Sequence, residues 1–131
     1  MGEESEDREP RLWLADEKAH GKNRNGGRHV FGVTRRPQWK PAQTDAEKAS
    51  LAAAAHHHQI AREIVARIRD AGLTRGEAAT RAEMNVNTLG RIINGTTSPT
   101  LYQLHRIAGA VGVPFLGGYP NPDQGTLNDA G

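Results

Sequence analysis

The chain has 131 residues, of which 24 % are charged, 36 % hydrophobic and 5 % aromatic, with no cysteine and a formal charge of +2. The lack of cysteine excludes a disulfide framework, a thiolate zinc site and a cysteine nucleophile. No apolar run approaches the roughly 20 residues of a membrane span, and the acidic start MGEESEDREP lacks the basic and apolar regions of a secretory signal, so a cytoplasmic location is expected.

The small net charge conceals opposed blocks. Residues 1–17 hold seven acids against two arginines, and residues 18–44 hold seven bases and no acid. An acidic end beside a basic stretch can fold back on it and weaken its hold on anions. Before residue 51 the only substantial apolar side chains are Leu12, Trp13, Leu14, Val30, Phe31, Val33 and Trp39. Residues 1–44 therefore read as a charged, largely disordered leader. HVFGVT is compatible with a short strand or hairpin, although two short strands alone are marginally stable. The cations of 18–44, Lys18, Lys22, Arg24, Arg28, Arg35, Arg36 and Lys40, read as a basic arm. Flexible basic arms lie along phosphates or enter the minor groove.

Thr44 and Glu47 have the spacing of a capping box, so a helix is expected from 45. The alanine-rich run that follows has no proline or glycine before Gly72, which predicts one long helix over 45–71. Its second half carries the apolar stripe Ile60, Ile64 and Ile68, with Ala61, Val65 and Ala71 beside it. Thr74 and Glu77 repeat the capping-box spacing and predict a short helix to Arg81 or Ala82. Asn85 is a good N-cap for a third helix, with Met84, Leu89 and Ile92 inward and Asn94-Gly95 as its stop. Ser98-Pro99 reads as the start of a fourth helix to about Val111, with Leu101, Leu104, Ala108 and Val111 inward. From Gly117 the chain is a turn-rich tail without periodicity. The expected organisation is a leader 1–44, a helical domain 45–116 and a flexible tail 117–131.

The two short helices and their tight turn have helix-turn-helix spacing. Residues 73–114 go further. Leu73-Thr74, Ala79, Leu89, Arg91-Ile92, Asn94-Gly95, Pro99-Thr100-Leu101, Ile107-Ala108 and Val111-Gly112-Val113 together resemble the lambda-repressor-like family, the Cro/C1 or XRE type. The resemblance implies an all-α domain of four to five helices, with a long first helix here. It also implies sequence-specific binding of double-stranded DNA by a small transcriptional regulator, such as a repressor, with no catalysis and no cofactor. The turn between the paired helices usually contains glycine in that family; here Glu83 stands there, in a turn that calls for a left-handed residue.

By the same resemblance, the N-terminal residues of the second motif helix meet base edges. Asn85, Val86, Asn87, Thr88 and Arg91 fall there. Asn87 suits adenine, Arg91 suits guanine or phosphate, and Val86 can touch a thymine methyl. Arg75, Asn94, Thr96 and Thr97 are backbone-contact candidates. His56, His57 and His58 point about 100° apart on a helix and do not converge on a metal, so they read as surface histidines. Two other readings remain open: a protein-interaction module such as an antitoxin or adaptor, and non-specific nucleic-acid coating through the arm. A homodimer is a further partner to consider.

Overall fold

The computed structural model describes residues 9–20 and 30–112. These hold four α-helices: α1 (Asp45–Asp70), α2 (Arg75–Arg81), α3 (Val86–Asn94) and α4 (Leu101–Val111). Two short 3-10 turns, Pro10–Trp13 and Glu17–His20, precede them. Among the described residues the HVFGVT segment is not a strand but a tight turn over 31–33.

Each helix start has a local cause. At α1 and α2 the capping boxes form as the spacing predicts: Thr44 and Thr74 accept from the amides of Glu47 and Glu77, each at 3.0 Å. The glutamates in turn accept from the threonine amides. At α3 the Asn85 side chain accepts from the Asn87 amide at 2.7 Å. The fourth helix starts later than Ser98-Pro99 suggests. Thr100 and Gln103 form a reciprocal capping box, at 2.9 and 3.0 Å, which satisfies two end donors at once. That start leaves Leu101 exposed rather than inward, and Leu104 and Ile107 supply the core. Ala71, also expected inward, is exposed beyond the end of α1.

The main core joins Ile60, Ile64 and Ile68 of α1 to Ala78, Ala79 and Ala82 around α2, Leu89, Ile92 and Ile93 of α3, and Leu104 and Ile107 of α4. The alanines let α3 and α4 approach α2 closely, since small side chains hold the backbones at short range. Burying a large aliphatic side chain contributes about 1.5–3 kcal/mol, so the isoleucines and leucines dominate this core.

The leader differs from the expected disorder in its described parts. Residues 9–20 and 30–44 fold back against α1. Trp13, Leu14 and Phe31 are fully buried there. The two limbs meet at an antiparallel bridge between Leu14 and Trp39, with Lys40 N–H donating to Trp13 O at 2.8 Å and Ala15 N–H to Gln38 O at 2.9 Å. Trp13 Nε1 donates to Ser50 Oγ on α1 at 2.9 Å. Leu14, Phe31, Ala61 and Trp39 form a second apolar cluster over the middle of α1. The physical reason is surface: that stretch of α1 presents Ala54, His57, His58 and Ala61 as one buried face, and the few bulky leader residues cover it.

Histidines 57 and 58 are likewise interior residues, not surface ones, being 5 % and 0 % exposed. Only His56 of the three is exposed. Gly32 N–H donates to His58 Nδ1 at 2.8 Å, which places the proton on Nε2, and Nε2–H donates to Thr34 O at 2.7 Å. His57 Nε2–H donates to Ile92 O at 2.6 Å. Its Nδ1 is buried with no hydrogen-bond partner, and its ring meets Phe31 edge-on at 4.9 Å.

Candidate nucleic-acid interface

The connection from α2 to α3 positions the exposed end of α3. Helix α2 stops because Glu83 takes a left-handed conformation, with φ at 58°. Glu83 N–H then donates to Thr80 O at 3.0 Å and Met84 N–H to Ala79 O at 2.9 Å, which closes the helix end as a Schellman motif. Two residues later Asn85 caps α3. The reversal is therefore tight, and the apolar face of α3, Leu89, Ile92 and Ile93, lies in the core.

The opposite face of α3 is open. Asn85, Val86, Asn87 and Arg91 are exposed, and Thr88 is half-buried. Val86 is an aliphatic side chain left 44 % exposed at the first helical position, where the helix has no use for it. Asn85 uses its side-chain oxygen as the cap, so its amide group alone is left to face outward. Arg75, at the first position of α2, is exposed, as is Arg81.

The far end of α3 is tied rather than free. Gly95 adopts φ 78°, and Asn94 Oδ1 accepts from Thr96 N–H at 3.0 Å and from Thr96 Oγ1 at 2.6 Å. Asn94 and Thr96 thus shape the turn, while Thr97 is exposed beside them. The leader grips the same end. Arg11 N–H donates to Gly95 O at 3.0 Å. A Cβ on Gly95 would fall 2.5 Å from the Phe31 ring, and one on Gly32 would fall 2.6 Å from Ile93 O.

Residues 65–117 match the family model described as helix-turn-helix. That segment is a Cro/C1-type helix-turn-helix domain. The described part of the match runs from the second half of α1 to Gly112, and it contains α2, the Glu83 turn and α3. No curated protein and no solved structure matches the chain. Among the described residues no helix is long and apolar enough to cross a membrane.

Of the arm cations, Arg24 and Arg28 lie outside the described residues, as does Lys22. Arg35 and Arg36 are exposed in the limb just after the Thr34–His58 hydrogen bond. Lys40 is committed within the leader, with Nζ donating to Glu17 Oε2 at 2.9 Å. That bond and the Lys40 charge hold the Glu17 carboxyl below its ordinary range.

Two parts of the helix-turn-helix frame escape the sequence reading. One is the leader clasp on Gly95 and Ile93. The other is Arg106 of α4, whose Nε donates to Ala82 O at 3.0 Å and whose guanidinium pairs with Glu83. The visible signal for the clasp is phase: Ala54, His57, His58 and Ala61 continue the Ile64 and Ile68 stripe at helical spacing.

Proposed function

We propose that the protein binds double-stranded DNA in a sequence-specific manner as a small transcriptional regulator, acting as a repressor in the cytoplasm at the nucleoid, without a catalytic step. The observation that carries this reading is the open outward face of α3. Val86, Asn87 and Arg91 are exposed on a helix whose other face is locked into the core, inside a Cro/C1-type domain. A helix of this kind fits the major groove with its first residues toward base edges. Asn87 supplies a paired donor and acceptor, Arg91 a two-pronged donor, and Val86 an apolar contact for a thymine methyl. Arg75, Thr97, Arg35 and Arg36 supply contacts to the phosphate backbone.

Selection of full-length protein on a random duplex library tests this. The expected result is an enriched motif whose binding is weakened by Asn87→Ala and Arg91→Ala. A palindromic motif would indicate a dimer on DNA. Equal recovery of all sequences would overturn the specific-regulator reading.

A further inference from the structure

Three helices of this protein end in the same way. After α1 and α3, the left-handed residue that closes the Schellman motif is a glycine, Gly72 at φ 71° and Gly95 at φ 78°. After α2 the same position is Glu83, among the described residues the one non-glycine with positive φ. A side chain in that conformation costs stability relative to glycine, because Cβ crowds the following carbonyl. This turn also sets where α3 begins, so any loosening there moves the exposed end of α3.

The surroundings of Glu83 differ from those of the two glycines. Arg106, one helix away on α4, reaches back to this turn alone. Its Nε donates to Ala82 O at 3.0 Å, and its guanidinium pairs with the Glu83 carboxylate. Its Nη1 donates to the Tyr102 hydroxyl at 3.2 Å, and the guanidinium carbon lies 5.6 Å from the Tyr102 ring centre. The carboxylate and the Tyr102 contacts raise the guanidinium pKa, the Glu83 hydrogen bond most. Arg106 thus holds both the carbonyl of Ala82, the residue that caps the end of α2, and the side chain of the strained residue that follows it.

We infer that Arg106 is a positioning residue for the DNA-reading helix: it holds Glu83 in the left-handed conformation and thereby fixes the turn from which α3 is presented. This rests on the DNA-binding reading only for its functional consequence. The turn itself can be measured without DNA.

The experiment uses the full chain with Arg106→Met, Arg106→Lys, Glu83→Gly and the double variant Arg106→Met/Glu83→Gly. Amide hydrogen exchange at Glu83 and Met84 reports the turn, because those amides close the Schellman motif. Affinity for the duplex selected by the wild-type protein reports presentation of α3. Arg106→Met is expected to speed exchange at both amides and to weaken duplex binding, each about tenfold, the size of effect that losing hydrogen bonds to a charged group gives. Arg106→Lys, which keeps the charge without the fork, is expected to behave like Arg106→Met. Glu83→Gly in the Arg106→Met background is expected to recover most of both losses, because glycine needs no outside support there. Circular dichroism establishes that each variant is folded, and Arg106→Lys replaces Arg106→Met if the latter does not fold. Unchanged exchange at Glu83 and Met84 in the Arg106 variants would overturn the inference. So would wild-type binding by Arg106→Lys together with no recovery in the double variant, which would make Arg106 a mere cation near phosphate. If the wild-type protein selects no duplex, the DNA-binding reading fails while the exchange data still decide the turn.

Discussion

Acidifying the protein from pH 7 to pH 5 is expected to weaken the fold through His57, and the size follows from its surroundings. Burial in an apolar setting opposes the charged imidazole and pushes its pKa down from 6.5 to about 4, with His58 and His56 adding repulsion and the Ile92 hydrogen bond acting against the shift. In the unfolded chain the same group takes up its proton near 6.5. Between the two values the unfolded state binds more protons, so stability rises with pH across that window. It is fully present above 6.5, is lost as the pH falls, and levels out below about 4. At pH 5 the loss from this group is about 2 kcal/mol, rising to about 3 kcal/mol once both states are protonated. His58 adds in the same direction, because burial and the nearby Arg62 also lower its pKa. Its two bonds, one accepted at Nδ1 and one donated from Nε2, need the neutral ring.

Urea unfolding at pH 7, 6 and 5 measures this, with His57→Met as the comparison. Far-UV circular dichroism follows the helices, and tryptophan emission follows the leader, where both tryptophans, Trp13 and Trp39, reside. The variant loses the bond to Ile92 O and is expected to be about 1 kcal/mol less stable at pH 7. It has no titrating group at the site, so the wild type alone loses about 2 kcal/mol on going to pH 5, and the variant's deficit is expected to turn into an advantage of about 1 kcal/mol. A deficit that stays constant between pH 7 and pH 5 would refute the reasoning, because His57 would then titrate alike in both states. Coincident transitions by the two probes are expected if the leader and the helices unfold as one unit.

Other outcomes follow from the interface and the clasp. Asn87→Ala and Arg91→Ala are each expected to cost about 1–3 kcal/mol in affinity for the selected duplex and to relax base preference at separate positions, as read by a repeat of the selection. Replacing Arg35 and Arg36 together by serine is expected to lower the slope of log K against log salt by about 2 if both meet phosphate, with little change in sequence preference; an unchanged slope would remove the limb from the interface. Gly95→Ala combines a left-handed backbone with a Cβ driven into the Phe31 ring. It is expected to destabilise the fold by about 2–4 kcal/mol in urea unfolding, with loss of leader packing seen in tryptophan emission.

The helical domain was readable because its signals are local. Thr44 with Glu47, Thr74 with Glu77, and Asn85 are caps whose partners lie within three residues, and Ile60, Ile64 and Ile68 repeat at helical spacing. The start of α4 departs from the Ser98-Pro99 signal because two caps compete within three residues. Ser98-Pro99 offers an N-cap with a preset φ, but Thr100 and Gln103 satisfy two donors together. The leader was not readable as packed because its partners are distant in sequence. Trp13 meets Ser50, Phe31 meets His57 and Gly95, and Arg11 meets Gly95. The histidines misled for a related reason. Their identity suggests solvent, whereas their phase, between Ala54 and Ala61, places two of them in the interior. On the interface, the exposure of Val86, Asn87 and Arg91 follows from the cap at Asn85 and the core residues Leu89 and Ile92. The Arg106 support of Glu83 depends on a contact across 23 residues of sequence and left no local trace.

The opposed charge blocks suggest a leader that folds on itself by electrostatics, and the magnitudes decide otherwise. The described limbs do meet, and Glu17 and Lys40 pair across them at 2.9 Å. The Glu17 carboxylate of that pair is largely exposed, and solvent-screened ion pairs add little to stability. Burying Trp13, Leu14 and Phe31 contributes about 1.5–3 kcal/mol for each side chain. Apolar burial therefore holds the leader down, and the charge pair only favours its register. This alters what the basic block can do. A cation in a freely moving arm can reach phosphate wherever the duplex lies. Lys40 is instead engaged with Glu17, while Arg35 and Arg36 project from a limb anchored on His58 and Gly95. Their reach toward DNA is then set by the same packing that holds the end of α3, so loosening the clasp should weaken base reading and phosphate contact together.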